Sequence, residues 1–187
     1  MKQILLICAA MVLLGCGKKA PEQQANVPDA NPPAQPPAKE PKVEPIKAKL
    51  TPGMFAANKA REAGNYREAV RLYTVELAAE EANPAPSRVQ LSNLHHELGL
   101  TLLDADLYDK ALEQFQKCLA IEIKQLGPEH PDVAMSYHNM ALVHKAKKDL
   151  AKAKEYWEKA YAIRLKKLGP NHPDTKDTKA ELDTLKE

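Results

Sequence analysis

The sequence predicts an all-α solenoid of three helix pairs closed by a C-terminal helix, and three observations predict it. The stretch Leu126-Gly127-Pro128-Glu129-His130-Pro131-Asp132 recurs 42 residues later as Leu168-Gly169-Pro170-Asn171-His172-Pro173-Asp174, which is a repeat period. Residues 92–132 lie on 134–174 without a gap and share fifteen identities, among them His96/His138, Leu100/Leu142, Lys110/Lys152, Ala111/Ala153, Glu113/Glu155 and Ile121/Ile163. Of 15 prolines in the 187 residues, nine precede residue 53, so the rest of the chain is rich in Ala, Leu, Lys and Glu, a helix-forming composition.

The elements follow in chain order. Met1-Lys2 is a short positive region, Ile4 to Leu14 a charge-free apolar run, and Gly15 a small residue before Cys16. The run is too short for a helix that spans a bilayer, which needs about 20 residues, and fits the core of an export signal over 1–15. Leu13-Leu14-Gly15-Cys16 resembles the lipobox of bacterial lipoproteins. That resemblance implies that Cys16 is lipidated and becomes the first mature residue, so that the membrane is a partner through the anchor. Gly17 after the cysteine is similar to the outer-membrane sorting pattern of enteric bacteria. The expected location is therefore the cell envelope, facing the periplasm where the host has two membranes. With two or three acyl chains, at about 0.8 kcal/mol per buried methylene, anchoring is effectively permanent.

Residues 16–51 are expected to form a tether. Gly17 to Pro52 carries nine prolines, six lysines and four acids with almost no large apolar side chain, too little to offset the entropy of ordering. As an extended polyproline chain it would reach on the order of 100 Å.

The folded domain is expected over 52–187, with repeats at about 52–84, 85–128 and 129–170 and a capping helix at 173–186. Apolar positions fall at 3- and 4-residue spacing, for example Leu94, Leu98 and Leu102, then Ala111, Phe115 and Leu119. Short turns are predicted at Gly64-Asn65, Asp106-Leu107 and Lys148-Asp149. Small residues at Ala57, Gly99 and Ala141, and at Ala69, Ala111 and Ala153, let helix backbones approach, and a large aromatic follows at Tyr73, Phe115 and Trp157. This order of positions resembles the tetratricopeptide repeat family, and the 42-residue period with its Leu-Gly-Pro-x-His-Pro-Asp connector is similar to the kinesin-light-chain type. In the connector, Gly127 and Gly169 are expected to end helices in the left-handed conformation, Pro131 and Pro173 to begin the next ones, and His130 and His172 to cap them. Ala180, Leu182 and Leu185 are the expected apolar face of the capping helix, which a solenoid needs at its open end.

Charge and chemistry narrow the function. The net charge is +2 and aromatic residues are 5%, which excludes the basic, stacking surface of a nucleic-acid binder. No glycine-rich phosphate loop or nucleophile motif is present, so neither a cofactor nor catalysis is expected. Cys118 stands where the next repeat has Ala160 and is expected to be a small core residue. His95, His96, Glu97, His138 and Asn139 would gather on one face, but their spacing is not that of a metal site. The family resemblance implies instead that the first helices line a peptide groove, which here would comprise Met54, Phe55, Asn58 and Arg61 from repeat 1. Repeat 2 would add Asn93, His96, Glu97, Leu100 and Asp104, and repeat 3 Met135, His138, Asn139, Leu142 and Lys145. The partner expected is a protein or peptide of the envelope, with self-assembly or a metal-binding histidine face as rival readings. Residues 145–167 hold nine Lys/Arg against three acids, and these lysines are expected on the solvated outer face of a second helix.

Overall fold

In the computed structural model the described residues are 50–185, so the expected export signal, Cys16 and nearly all of the expected tether lie outside them. Seven helices follow one another: α1 (Pro52–Glu62), α2 (Tyr66–Glu81), α3 (Arg88–Asp104), α4 (Tyr108–Leu126), α5 (Pro131–Ala146), α6 (Leu150–Leu168) and α7 (Pro173–Thr184). Among the described residues there is no strand. The all-α class, the three pairs and the closing helix are as the sequence predicts. Each helix packs mainly on its neighbours in sequence, as in a one-dimensional stack.

Local chemistry sets the helix starts. Thr51, Asn65, Ser87 and Asp149 place a side-chain oxygen on an N–H of the first turn, satisfying a donor that the helix leaves open. His130 and His172 do the same with Nδ1, accepting from Asp132 N (3.2 Å) and Asp174 N (3.3 Å), while Pro131 and Pro173 open the helices behind them. The three intra-repeat turns share a positive φ and one pattern of backbone hydrogen bonds. Gly64, Asp106 and Lys148, each 42 residues from the next, have φ of 73°, 58° and 62°.

Two expectations are corrected. Gly127 and Gly169 have φ of 84°, but their ψ of 161° and 168° puts them in a region essentially open only to glycine rather than in the left-handed helical well. The extended ψ sends the chain directly to Pro128 and Pro170. Ala180 is exposed: α7 turns Thr175 and Thr178 inward instead, with Leu182 and Leu185 against the Trp157 cluster. The first connector lacks glycine altogether. There Asn83 accepts from Ala85 N (3.1 Å), and Ser87 N donates to Glu80 Oε1 (2.6 Å).

The core runs along the stack between first and second helices. Ala57, Ala69, Ala111, Ala141 and Ala153 have no exposed surface, nor do Tyr73, Phe115 and Trp157. Gly99 shows why the small positions matter: a Cβ there would come within 2.7 Å of the Phe115 ring. Repeat 3 tolerates Ala141 at the same place beside Trp157.

Candidate functional site

The 42-residue register puts the candidate residues in rows across α1, α3, α5 and α7. Met54, His96, His138 and Ala180 form one row, and Phe55, Glu97, Asn139 and Glu181 another. Asn58, Leu100, Leu142 and Thr184 form a third, and Asn93, Met135 and Asp177 share a fourth.

A hydrogen-bonded relay joins the predicted polar residues across three of these helices. The Asn139 amide donates to His96 Nε2 (2.9 Å), which leaves the proton on Nδ1, facing Glu97 Oε1 at 3.5 Å. Glu97 in turn meets Arg61 Nη1 (3.4 Å), whose Nε donates to Asp104 Oδ2 (2.7 Å). The hydrogen bond with His96 holds the Glu97 carboxyl below its ordinary value despite its burial, with Arg61 assisting. Asn139 is itself buried. On the α1 side, the Tyr73 hydroxyl donates to Asn58, and burial followed by the Glu97 charge pushes that phenol up to about 12. Asn58, Arg61, Glu62 and Asp104 line a shallow cleft where α1 meets α3.

His138 occupies the register position of His96 but has different partners. Its Nδ1 lies 3.5 Å from both Arg164 Nη1 and Thr178 Oγ1. Burial, and then the Arg164 charge, depress its pKa, so the ring is neutral at neutral pH. Both histidines rest against the repeat's large aromatic, His96 on Phe115 and His138 on Trp157, each at 6.2 Å between ring centres. Lys145 bonds Glu181 of α7 (2.6 Å) and lies 5.5 Å from the Trp157 ring centre. Leu100 and Leu142 are half-buried against the core, Asn93 is half-buried, and Phe55 and Met135 are exposed.

Two buried polar centres escaped sequence reading. Where α3, α4 and α5 meet, Glu122 accepts from Ser136 Oγ (2.6 Å), Cys118 Sγ (3.2 Å) and Ser92 Oγ (3.5 Å). Burial raises the Glu122 pKa, the two hydrogen bonds from Ser136 and Cys118 opposing it. Burial and the neighbouring carboxylate push the Cys118 thiol up to about 12, so this cysteine is the inert core residue expected, though its surroundings are polar. At the next interface Arg164, 42 residues after Glu122, donates to Thr178 Oγ1 (2.6 Å) and the Asp174 carbonyl (3.0 Å). The signal was present: Thr178 stands 42 residues after Ser136, both polar where repeat 2 has Leu94.

The outer lysines of repeat 3 are arranged as the sequence suggests. Lys159 bonds Glu155 (2.6 Å), Lys154 approaches Glu158 (3.9 Å) and Lys152 approaches Asp149 (3.5 Å), while Lys159 also covers Tyr137 and Tyr156. Among the described residues, no three His, Cys, Asp or Glu side chains converge as a metal site requires, and no helix is long and apolar enough to cross a membrane.

Stacked helix pairs with small residues facing a large aromatic are matched by the Tetratricopeptide repeat family, whose model fits residues 90–166 and 132–182. The chain carries tetratricopeptide repeats. No curated protein sequence matches it. Among solved structures, it is similar to a putative kinesin light chain with nearly identical TPR-like repeats from Podosopora anserina, at 27% identity and a TM-score of 0.64, over 73% of this chain and 64% of that one. BtubC (BKLC) from P. vanneervenii shares the fold at 20% identity and a TM-score of 0.63, over 71% and 52%. The second TPR domain of human RPAP3, in complex with an HSP70 peptide, shares it at 16% and 0.52, over 72% and 92%. The tetratricopeptide chain thus spans about half to two thirds of the length of the first two structures. The tetratricopeptide fold commonly mediates protein–protein interaction, and its members are generally non-catalytic adaptors.

Proposed function

We propose that this protein is a lipid-anchored adaptor of the bacterial envelope. Cys16 carries the anchor, residues 17–51 are the tether, and the face of α1, α3, α5 and α7 holds a peptide of a partner protein near the membrane. The observation that supports this most is the relay from Asn139 through His96 and Glu97 to Arg61 and Asp104. It lays amide, imidazole and carboxylate groups in a fixed row beside the exposed side chains of Phe55 and Met135, polar groups for a ligand backbone next to apolar ones for its side chains. The second TPR domain of RPAP3, in complex with an HSP70 peptide, supports a peptide as the kind of ligand.

Two measurements test the reading. Cys16→Ser should move the protein from the membrane fraction to the soluble one; retention with the leader removed elsewhere refutes the anchor. A photo-crosslinker at Asn93 should capture a discrete envelope protein in cells, and Asn139→Ala should weaken that partner by about 1 kcal/mol or more, since a buried group loses its bonds. Equal, strongly salt-dependent losses from Asn139→Ala and Lys154→Ala would move the site to the outer face. Self-assembly is the second reading, favoured by the exposure of three large apolar side chains, Leu50, Phe55 and Val75, in and just before the first repeat, and light scattering on the Cys16→Ser chain decides it.

A further inference from the structure

We propose that the face of α1, α3, α5 and α7 selects a positively charged peptide segment with interspersed apolar side chains, and rejects acidic ones. This rests on the adaptor reading and names the partner chemistry of the same site.

The cations of this face are already engaged. Arg61 is held between Glu97 and Asp104, and Lys145 between Glu181 and the Trp157 ring. Arg164 is buried, with its Nη1 directed at the Asp174 carbonyl and Thr178. None presents a guanidinium or ammonium to an incoming carboxylate without breaking a bond that fixes one helix to the next.

The acids are placed differently. Glu62 lines the α1/α3 cleft and makes no ion pair among the described residues, and the single cation beside it, Arg61, is shared by two carboxylates, Glu97 and the more than one-third exposed Asp104, so acid exceeds base there. Asp104 is also the last residue of α3, a helix with no basic residue in its last turn. A carboxylate there adds to the negative end of the helix dipole, a locally unfavourable placement that deepens the negative potential over the cleft. At the other end of the face, α7 adds Asp177, exposed and in the row of Asn93 and Met135, while Glu181, in the row of Glu97 and Asn139, is bonded to Lys145 (2.6 Å). On the same face Phe55 of α1 is 62% exposed and Met135 of α5 36% exposed, with Leu100 and Leu142 half-buried. A ligand that matches this surface carries cations interspersed with apolar side chains. The chain as a whole does not impose this sign: its basic excess lies in residues 1–52, with seven lysines against four acids, while residues 53–187 hold 20 Lys/Arg and 21 Asp/Glu and the lysines of repeat 3 lie on the outer face of α6.

The test uses the full chain with Cys16→Ser and three fluorescent dodecapeptides that share their leucine and phenylalanine positions. The remaining positions are lysine in one, glutamine in the second and glutamate in the third. Anisotropy at low ionic strength should show the lysine peptide binding about tenfold tighter than the glutamate peptide, with the gap closing as salt is added. The Glu62→Gln/Asp177→Asn double variant should weaken the lysine peptide by roughly threefold per charge removed, the size of a water-exposed charge pair at about 6 Å. Lys154→Ala should leave it unchanged, and circular dichroism should show all variants folded. Equal or tighter binding of the glutamate peptide overturns the proposal, as does a lysine preference that survives the double variant, or no binding of any peptide. Crosslinking from Asn93 separates the two readings: capture of an acidic partner segment there sinks the charge selection and leaves the adaptor standing, whereas no capture at all sinks the adaptor.

Discussion

The α4/α5 and α6/α7 interfaces occupy the same place in successive repeats and are built with opposite charge. Glu122 sits in the first, bonded to two serines and a cysteine, and Arg164 sits 42 residues later in the second, bonded to a threonine and a main-chain carbonyl. Both side chains are 6% exposed. In each case the hydrogen bonds are made with neutral groups, donors around Glu122 and acceptors around Arg164, with the Asp174 and Asp177 charges also favouring the cation, which makes each pocket specific for one sign. The lesson is that identical backbone stacking does not make the repeats interchangeable: α7 suits only the surface that presents Arg164, and α5 only the one that presents Glu122. Buried polar groups that must find particular partners fix the order of the stack in a way that the alanines and aromatics, shared by all repeats, do not.

The sharpest way to break this contrast is to exchange the charges. Glu122→Arg should destabilise the domain by about 3 kcal/mol or more, because a longer side chain overpacks the site and its charge faces donors rather than acceptors. Chemical denaturation measures this, and a midpoint within error of the parent would show that the pocket does not discriminate sign. A smaller effect is expected from Arg164→Leu, which removes both bonds to α7. The loss should be about 1–3 kcal/mol and confined to the last helix, seen as faster amide exchange in residues 175–184 with α3 and α4 unaffected. Uniform loss of protection across the chain would argue that α7 folds as one unit with the rest.

The smallest effect separates the two interfaces by pH. Burial raises the folded-state pKa of Glu122 above 4.5, so the folded form holds the proton more tightly than the unfolded chain. The contribution is fully present below about 4.5 and is lost as the pH rises through the folded value. His138, beside Arg164, is shifted the other way: its folded pKa lies below 6.5, so its contribution is present above 6.5 and lost as the pH falls through the lowered value. Glu122→Gln should therefore flatten the decline of stability between pH 4.5 and neutrality and leave the His138 limb intact. An unchanged pH profile in thermal melts would show that Glu122 is not protonated more readily in the fold.

How much of this was legible in the sequence depends on the range of the interaction. Contacts inside one helix pair repeat with the period, so the turns at residues 64, 106 and 148, the small positions opposite Tyr73, Phe115 and Trp157, and the capping by His130 and His172 could all be read from spacing. Contacts between pairs depend on how far one repeat is rotated on the next, which no spacing states. Asn139 and His96 could be placed on one face, but not in one hydrogen bond, and the conversion of Glu97 and Arg61 from separate groove residues into one relay was equally hidden. Ala180 misled because its apolar character suggested burial, whereas the register it shares with His138 places it on the open face. The conformation of Gly127 and Gly169 was half legible: a positive φ follows from the glycine, while ψ is set by the proline that follows.

The sealed thiol of Cys118 makes the stack able to report on its own opening. With no exposed surface and a pKa of about 12, it presents neither area nor thiolate to an alkylating reagent while α3, α4 and α5 remain together. Modification proceeds only in molecules whose middle interface has parted, where the thiol returns to the ordinary reactivity of a free cysteine, about 8.5 in pKa. The ratio of its labelling rate in the folded chain to that in denaturant, followed on the peptide that contains it, is therefore the equilibrium constant for parting one repeat from the next. The chain carries this clock without any engineered label.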